Sequence, residues 1–204
     1  MYPYRVLQGA PDYAKAVAWH CYQNPAPDYS VLDSISQAYP GTLQFMTECS
    51  SYRPGPGSID FHVAQNFIKP VQHGASGASM WVLGTNAAAG PSSPYGGCDG
   101  CYGSIIVNSS TTYTKTHDYY MIGQFSRFVR RGAVNHKILE GISGGITDWG
   151  QQFWIIATKN PDKSWAVIFM NYTPNDEDVV LSFTEGNDQL WEGTWLPTTL
   201  QTLD

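Results

Sequence analysis

The sequence predicts an α/β segment followed by an all-β one. Three apolar runs, Ala16 to Tyr22, Leu43 to Cys49 and Gly77 to Leu83, are separated by stretches with helical spacing, and each ends in polar or aromatic side chains. Strand, helix and strand again, with chemistry at the strand ends, is how a (β/α) barrel presents an active site. After Gly132 the pattern changes. Short alternating runs at 152–158, 164–171, 178–183 and 189–195 are divided by polar turn formers, which reads as an antiparallel β-sandwich. Too few barrel-type strands are present to close a barrel. The expected organisation is therefore a partial barrel over residues 1–131 and a sandwich over 132–204, the back part of an enzyme.

Each element has its local reason. After the first strand, Pro25-Ala26-Pro27 breaks the chain, and Asp28 is placed to cap a helix from Tyr29 to Ala38. Val31, Leu32, Ile35 and Ala38 share one face of that helix, and Tyr39-Pro40-Gly41 ends it. The second strand leads into a loop, Tyr52 to Gly57. Ser58 then opens a helix carrying Ile59, Val63, Phe67 and Ile68, closing near Pro70 and Gly74. The third strand is followed by a loop rich in Gly, Pro and Ser from Gly84 to Gly103, long enough to signal function or disorder. Placed at the carboxyl end of a barrel strand, it would help wall a cleft. A short strand, Ser104 to Val107, precedes a helix from Asp118 to Val129 with Tyr119, Ile122, Phe125, Ser126 and Val129 on one side. In the β-rich part, turns fall at Asn160-Pro161-Asp162, at Thr173 to Asp176 and at Glu185 to Asp188. The chain reaches Asp204 without an obvious final strand, so more sequence is expected beyond that end as well as before Met1.

Composition narrows the function classes. Charged residues make up 14% of the chain and aromatics another 14%, including seven Trp and thirteen Tyr. Flat amphipathic rings suit stacking on a pyranose, and they equally suit a β-rich core. The net charge is −6 and the basic residues cluster only at Arg127, Arg130 and Arg131, so no nucleic-acid partner is expected. No run approaches the ~18–20 apolar residues of a membrane span. Met1-Tyr2-Pro3-Tyr4-Arg5 has no apolar core, so any export signal would lie upstream.

The four cysteines form a single C-x-x-C, Cys98 and Cys101, plus Cys21 and Cys49. Without a second pair a zinc site is not indicated, and a local disulfide is preferred over free thiols for Cys98 and Cys101. Cys21 and Cys49 hold matching places at the ends of consecutive strands. If those strands are neighbours, the sulfurs come within bridging range. Both pairings fit a secreted protein. The sequons Asn108-Ser109-Ser110 and Asn171-Tyr172-Thr173 point the same way, although Pro174 makes the second a poor acceptor. No metal or organic cofactor is expected, because no ligand cluster has suitable spacing.

Glu48 is the candidate catalytic residue. It ends the second strand, and His20, Tyr22 and Trp81 hold the equivalent ends of the flanking strands. A phenol can donate a hydrogen bond that fixes the carboxylate's rotamer, and an indole can form the floor under a sugar ring. His20 reads either as a partner for a sugar hydroxyl or as a wall residue. Glycoside hydrolysis needs two carboxyl groups, ~5–5.5 Å apart in a retaining enzyme. Asp99, Glu140, Asp148 and Asp176-Glu177-Asp178 fall in loops or in the β-rich part, and Asp12 and Asp28 in connections beside the first strand. None follows a barrel-type strand, so the sequence supplies no convincing acid.

Four collinear motifs resemble glycoside hydrolase family 30, which contains glucosylceramidases and fungal endo-β-1,6-glucanases. They are His20-Cys21-Tyr22, Thr47-Glu48-Cys49-Ser50, Trp81 to Asn86 with Gly90-Pro91, and Tyr120 to Phe128. The resemblance covers nearly the whole chain. The loop Gly90 to Gly103 with its paired cysteines looks like that of the secreted fungal branch. The resemblance implies a (β/α)8 barrel with an appended β-sandwich, hydrolysis with retention, and a covalent glycosyl-enzyme. Glu48 matches the nucleophile on the seventh strand, Tyr22 the tyrosine on the sixth, and Trp81 a tryptophan on the eighth that lines the subsite of the cleaved sugar. Asn86 falls near the pocket. The family's acid/base is a Glu on the fourth strand, so strands one to five would lie outside this chain, which on its own is expected to be inactive. The implied substrate is a β-1,6-linked glucan. A β-1,6-galactanase, a glucosylceramidase-like enzyme and a non-catalytic carbohydrate-binding or inactive fragment are the alternatives.

Overall fold

The computed structural model describes residues 2–22, 28–52, 63–91, 95, 98, 100–138, 153–171, 175–182, 190–195 and 199–203. The chain divides into two compact units, Met1–Ser126 and Arg127–Asp204.

The first unit opens with α1 (Tyr2–Gly9), a helix not expected from the sequence. It is held by one buried residue, Leu7, and by Tyr4, whose hydroxyl donates to the Ser34 carbonyl at 2.7 Å. β1 (Ala16–His20) follows, then α2 (Ser30–Ala38), then β2 (Leu43–Glu48). Asp28 accepts the Ser30 N–H at 3.0 Å, so it serves the first turn of α2 from outside the helix. β3 (Ser51–Tyr52) is short. A π-helical turn, Val63–Ile68, runs into α3 (Lys69–Gln72), and the expected helix start at Ser58 lies outside the described residues. β4 is only Gly77–Ala78. The third strand therefore stops well short of the expected Leu83, and Trp81 meets the sheet through a single bridge to Ser50.

β1, β2 and β4 form a parallel sheet in the order β1-β2-β4. One face is buried under helices. Leu32 of α2 packs with Met46 of β2, and Ile35 packs with Val17 of β1 and Leu7 of α1. The apolar spacing on α2 thus sorts its residues between two strands. Gln44, on the same buried face, is fully satisfied. Its Oε1 accepts the Trp19 indole N–H at 3.1 Å, and its Nε2 donates to the Leu32 carbonyl and to Ser36 Oγ, each at 2.9 Å. On the other face Ala16, Ala18 and Leu43 are exposed.

The expected long loop has strands in its described residues. It contains β5 (Gly84–Asn86) and β6 (Cys101–Tyr102), and Cys98 is bonded to Cys101. β5 pairs in parallel with β7 (Ile105–Val107), which pairs antiparallel with β8 (Tyr113–Lys115), while β3 pairs with β6. Glycine is required at 103, since a Cβ there would sit 2.6 Å from the Thr85 nitrogen. The closing helix, α4 (His117–Ser126), is shorter than the expected 118–129. Its buried side is Asp118, Met121 and Phe125, with Phe125 stacked on Phe67 at 4.6 Å, whereas Tyr119 and Ser126 are exposed. The buried face is rotated by part of a turn from the expected one, with Asp118 rather than Tyr119 facing inward.

The described strands of the second unit pair antiparallel. It comprises β9 (Val134–His136), β10 (Phe153–Lys159), β11 (Trp165–Asn171), β12 (Glu177–Ser182), β13 (Leu190–Trp195) and β14 (Thr199–Leu203). One sheet has the order β14-β11-β10-β9, and β12 pairs with β13. β14 corrects the expectation that no strand closes the chain. Ile155, Ala157, Val167 and Phe169 form a core, with Val179 and Leu181 of β12 packed against it. Burying a side chain such as Phe169 contributes ~1.5–3 kcal/mol. Asn160 pins the β10–β11 turn to the entering chain. It accepts the Arg130 N–H at 2.9 Å and donates to the Phe128 carbonyl and to Ser164 Oγ at 3.0 Å.

Candidate active site

The carboxyl end of the β1-β2-β4 sheet gathers most of the chemistry. In a parallel sheet all strand ends of one polarity face the same way, so residues that end β1 and β2 are brought side by side by register alone. Here His20 is opposite Glu48, after a shift in pairing between Trp19 and His20. Beyond those ends Cys21 is bonded to Cys49, and the Cys21 N–H donates to the Glu48 carbonyl at 3.3 Å. Both half-cystines are buried, with Met46, Leu32 and Tyr29 around them.

The next residue on each strand completes the arrangement. Tyr22 follows Cys21 and Ser50 follows Cys49. The Tyr22 hydroxyl donates to Glu48 Oε1 at 3.0 Å and lies 2.7 Å from Ser50 Oγ. A phenol has one proton, so with Tyr22 donating to Glu48 the Ser50 hydroxyl donates to Tyr22. The result is a chain, Ser50 to Tyr22 to Glu48, that fixes the carboxylate on one side. On the other, His20 Nε2 is 3.9 Å from Glu48 Oε2, too long for a hydrogen bond but close enough for attraction when the imidazole is protonated. The His20 and Tyr22 rings meet edge to face at 5.7 Å. Glu48 is partly open to solvent, with 31% of its side chain exposed.

Trp81 joins the same end through its backbone. Its N–H donates to the Cys49 carbonyl at 3.0 Å, and its ring is 44% exposed. The Ser79 hydroxyl donates to the Thr47 carbonyl at 2.7 Å and so anchors the approach to Trp81. Asn86 is differently engaged. Its Oδ1 accepts from the Ala88 and Gly90 N–H groups, both at 2.9 Å, which makes it the brace of its own turn. Among the sequence candidates, then, His20, Tyr22, Glu48 and the Cys21–Cys49 pair stand together, Trp81 adjoins them, and Asn86 spends its carbonyl on the loop. Ser50 was not anticipated. The signal was present, since Ser50 stands one residue after Cys49 just as Tyr22 stands one after Cys21.

Among the described residues the partners of Glu48 are a phenol and an imidazole, and a second carboxylate is not among them. Asp99, Glu140 and Asp148 lie outside the described residues. Among the described residues no group of three His, Cys, Asp or Glu could hold a metal ion, and no helix is long and apolar enough to cross a membrane. The arrangement is suited to holding one ionisable oxygen in a fixed, partly exposed position beside aromatic surface.

No protein-family model matches the chain. Three fungal proteins named endo-1,6-β-D-glucanase, from Aspergillus fumigatus, Neurospora crassa and Trichoderma harzianum, are respectively 39, 37 and 36% identical to it over 94% of its length. The chain spans 37 to 39% of the length of these relatives. Among solved structures, the endo-β1,6-glucanase BT3312 superposes with a TM-score of 0.76 at 24% identity, covering 98% of this chain and 43% of that one. The catalytic domain of the GH30 xylanase C from Talaromyces cellulolyticus gives 0.61 at 17% identity, covering 90% of this chain and 38% of that one. By descent this is a glycoside-hydrolase sequence. The chain belongs to glycoside hydrolase family 30.

Proposed function

We propose that the chain carries the nucleophile side of a retaining endo-β-1,6-glucanase, with Glu48 as the attacking carboxylate. The observation that carries this reading is the Tyr22 hydrogen bond to Glu48 Oε1 at the carboxyl end of parallel strands. With Oε1 held by the phenol, Oε2 is left to attack an anomeric carbon, forming the glycosyl-enzyme ester that water later cleaves. Trp81 supplies the stacking surface for the cleaved sugar, His20 a partner for a hydroxyl, and Asn86 shapes the pocket wall through its turn. The names of the fungal relatives support a β-1,6-linked glucan as substrate.

The same reading assigns the fold. β1, β2 and β4 are the sixth, seventh and eighth strands of a (β/α)8 barrel, and the exposed Ala16, Ala18 and Leu43 belong to the face that further strands would cover. Residues 1–131 are its catalytic part and 132–204 a β-sandwich, with β12 and β13 forming one layer against β10 and β11. The general acid/base comes from sequence outside this chain, consistent with the share of the relatives that it spans. Two disulfides favour an extracellular location.

The test uses a 2-deoxy-2-fluoro-β-glucoside with a dinitrophenolate leaving group, which departs without proton assistance and so needs no acid partner. Intact mass is expected to rise by one fluoroglucosyl group, mapping to the peptide that holds Glu48, and Glu48→Gln is expected to abolish it. Labelling at another carboxylate, or labelling that survives Glu48→Gln, would overturn the assignment.

A further inference from the structure

We propose that Asn108 is an N-glycosylation site, and that Asn171, the other sequon asparagine, is not. The proposal rests on the extracellular reading above and goes beyond it by choosing between two sequons on structural grounds.

Asn108 opens the five-residue loop of the β7–β8 hairpin, and Asn108 through Thr112 are all exposed. The turn is held without Ser110. The Asn108 and Ser109 N–H groups donate to the Thr112 carbonyl at 3.0 and 3.2 Å, and Ser109 Oγ accepts from the Thr111 and Thr112 N–H groups at 3.2 and 3.1 Å. The second and third sequon positions are thereby displayed at the tip of a hydrogen-bonded turn. The Asn108 amide nitrogen donates to Thr114 Oγ1 at 2.8 Å on the surface. That nitrogen has two hydrogens. Glycosyl transfer replaces one, and the other can keep the bond to Thr114, so modification leaves the hairpin intact.

Asn171 presents the opposite case. It is fully buried, stands in register between Phe153 of β10 and Thr199 of β14, and donates its amide to the Asn175 carbonyl at 2.9 Å. A sugar there would need the sheet opened and that bond broken, which leaves buried polar groups unpaired.

The transfer is balanced with a lipid-linked oligosaccharide pyrophosphate as donor. The bond from the anomeric carbon to the Asn108 amide nitrogen forms, and the bond from that carbon to the pyrophosphate oxygen breaks. Lipid pyrophosphate leaves, and one amide proton is released. The glycan has a physical use where it sits. β8 is an outer strand of the β5-β7-β8 sheet, all three of its residues are exposed, and Tyr113, 60% exposed, is in register with Val107. An exposed edge strand invites pairing with other chains, and a bulky polar group at its entry blocks that approach.

The experiment is peptide mapping of the native protein from its source. Chymotrypsin releases the segment Gly103 to Tyr113, and peptide-N-glycosidase in heavy-oxygen water turns a glycosylated Asn108 into Asp carrying one heavy oxygen. The expected result is a marked Asn108 and an unmarked Asn171. Ser110→Ala, which leaves the Thr114 bond in place, is expected to abolish the mark as completely as Asn108→Gln. Secreted protein with unmodified Asn108 overturns this proposal alone. Protein confined to the cell with both asparagines unmodified overturns the extracellular reading as well. A marked Asn171 refutes the burial argument that separates the two sequons.

Discussion

Removing the Cys21–Cys49 bridge should loosen the end of the parallel sheet far more than any other part of the molecule. The bridge closes a loop with a sequence separation of 28. In the chain-entropy account such a closure stabilises the folded state by about 3.5 kcal/mol at about 25 °C, whereas the Cys98–Cys101 closure is worth only about 1.5 kcal/mol. The perturbation is the double substitution Cys21→Ala with Cys49→Ala, which avoids a free thiol and costs little packing beyond the sulfurs themselves. Amide hydrogen exchange read by mass spectrometry is the assay, because it reports β1 and β2 apart from the second unit. Opening made easier by about 3.5 kcal/mol accelerates exchange about 300-fold. Peptides over residues 16–21 and 43–49 should show that acceleration, while peptides over β10 and β11 should not move. Acceleration below about tenfold in β1 and β2 would refute the loop-closure reasoning. Equal acceleration in β10 and β11 would refute a local effect of the bridge.

Other expectations follow from particular contacts. Tyr22→Phe removes the donor to Glu48 Oε1 and the partner of Ser50, so fluoroglucoside labelling should slow roughly tenfold, with Ser50→Ala giving a smaller loss in the same direction. Gln44→Leu keeps the shape but orphans the Trp19 indole, the Ser36 hydroxyl and a bond to the Leu32 carbonyl, and thermal unfolding should show a loss of about 2–4 kcal/mol. Asp162 is held below its ordinary 3.8 by hydrogen bonds from Ser164, then by the Arg130 guanidinium. A carboxylate lowered on folding stabilises the protein above its unfolded pKa and loses that contribution as pH falls through the folded value. Between about pH 5 and about pH 2, urea midpoints should fall less steeply for Asp162→Asn than for the parent.

What the sequence made legible were elements with an unambiguous period or a fixed partner. β1 and β2 stand out because apolar residues run unbroken to a polar end. α2 stands out because Leu32 and Ile35 share a face bounded by Asp28 and Gly41. β10 and β11 are apolar almost throughout and separated by a Pro-Asp turn. The elements missed lack such a signal. β5 is Gly-Thr-Asn and β8 is Tyr-Thr-Lys, three residues each, and β8 is wholly exposed, so no buried face imposes alternation. α1 buries one residue and begins beside Pro3. β14 follows closely on Pro197, which reads as a break, and its reason to exist is the open edge of β11, a tertiary fact. Met80 to Leu83 looks apolar and so extends the expected third strand, yet Leu83 is 72% exposed and only Gly77 and Ala78 pair with β2. At the site, Glu48, Tyr22 and His20 were legible because parallel register aligns strand ends. For Ser50 the sequence offers its place after Cys49, matching that of Tyr22 after Cys21, but its contact with the Tyr22 hydroxyl lies across the sheet and only the structure gives it.

The order of residues around the cystine bears on how the protein is made. A covalent rung, Cys21 to Cys49, is followed one residue later by a hydrogen-bonded rung, Tyr22 to Ser50, and Glu48 stands directly before the first. In a reducing host cytoplasm the covalent rung is absent, and the phenol is kept on the carboxylate by bonds worth about 1 kcal/mol each. Unglycosylated preparations from reducing and oxidising compartments would then share a mass, apart from four hydrogens across the two cystines, and differ in how often Glu48 is held by Tyr22. The compartment chosen for expression is thus a variable of the candidate site's geometry, and assays on protein of unknown thiol status would mix two populations.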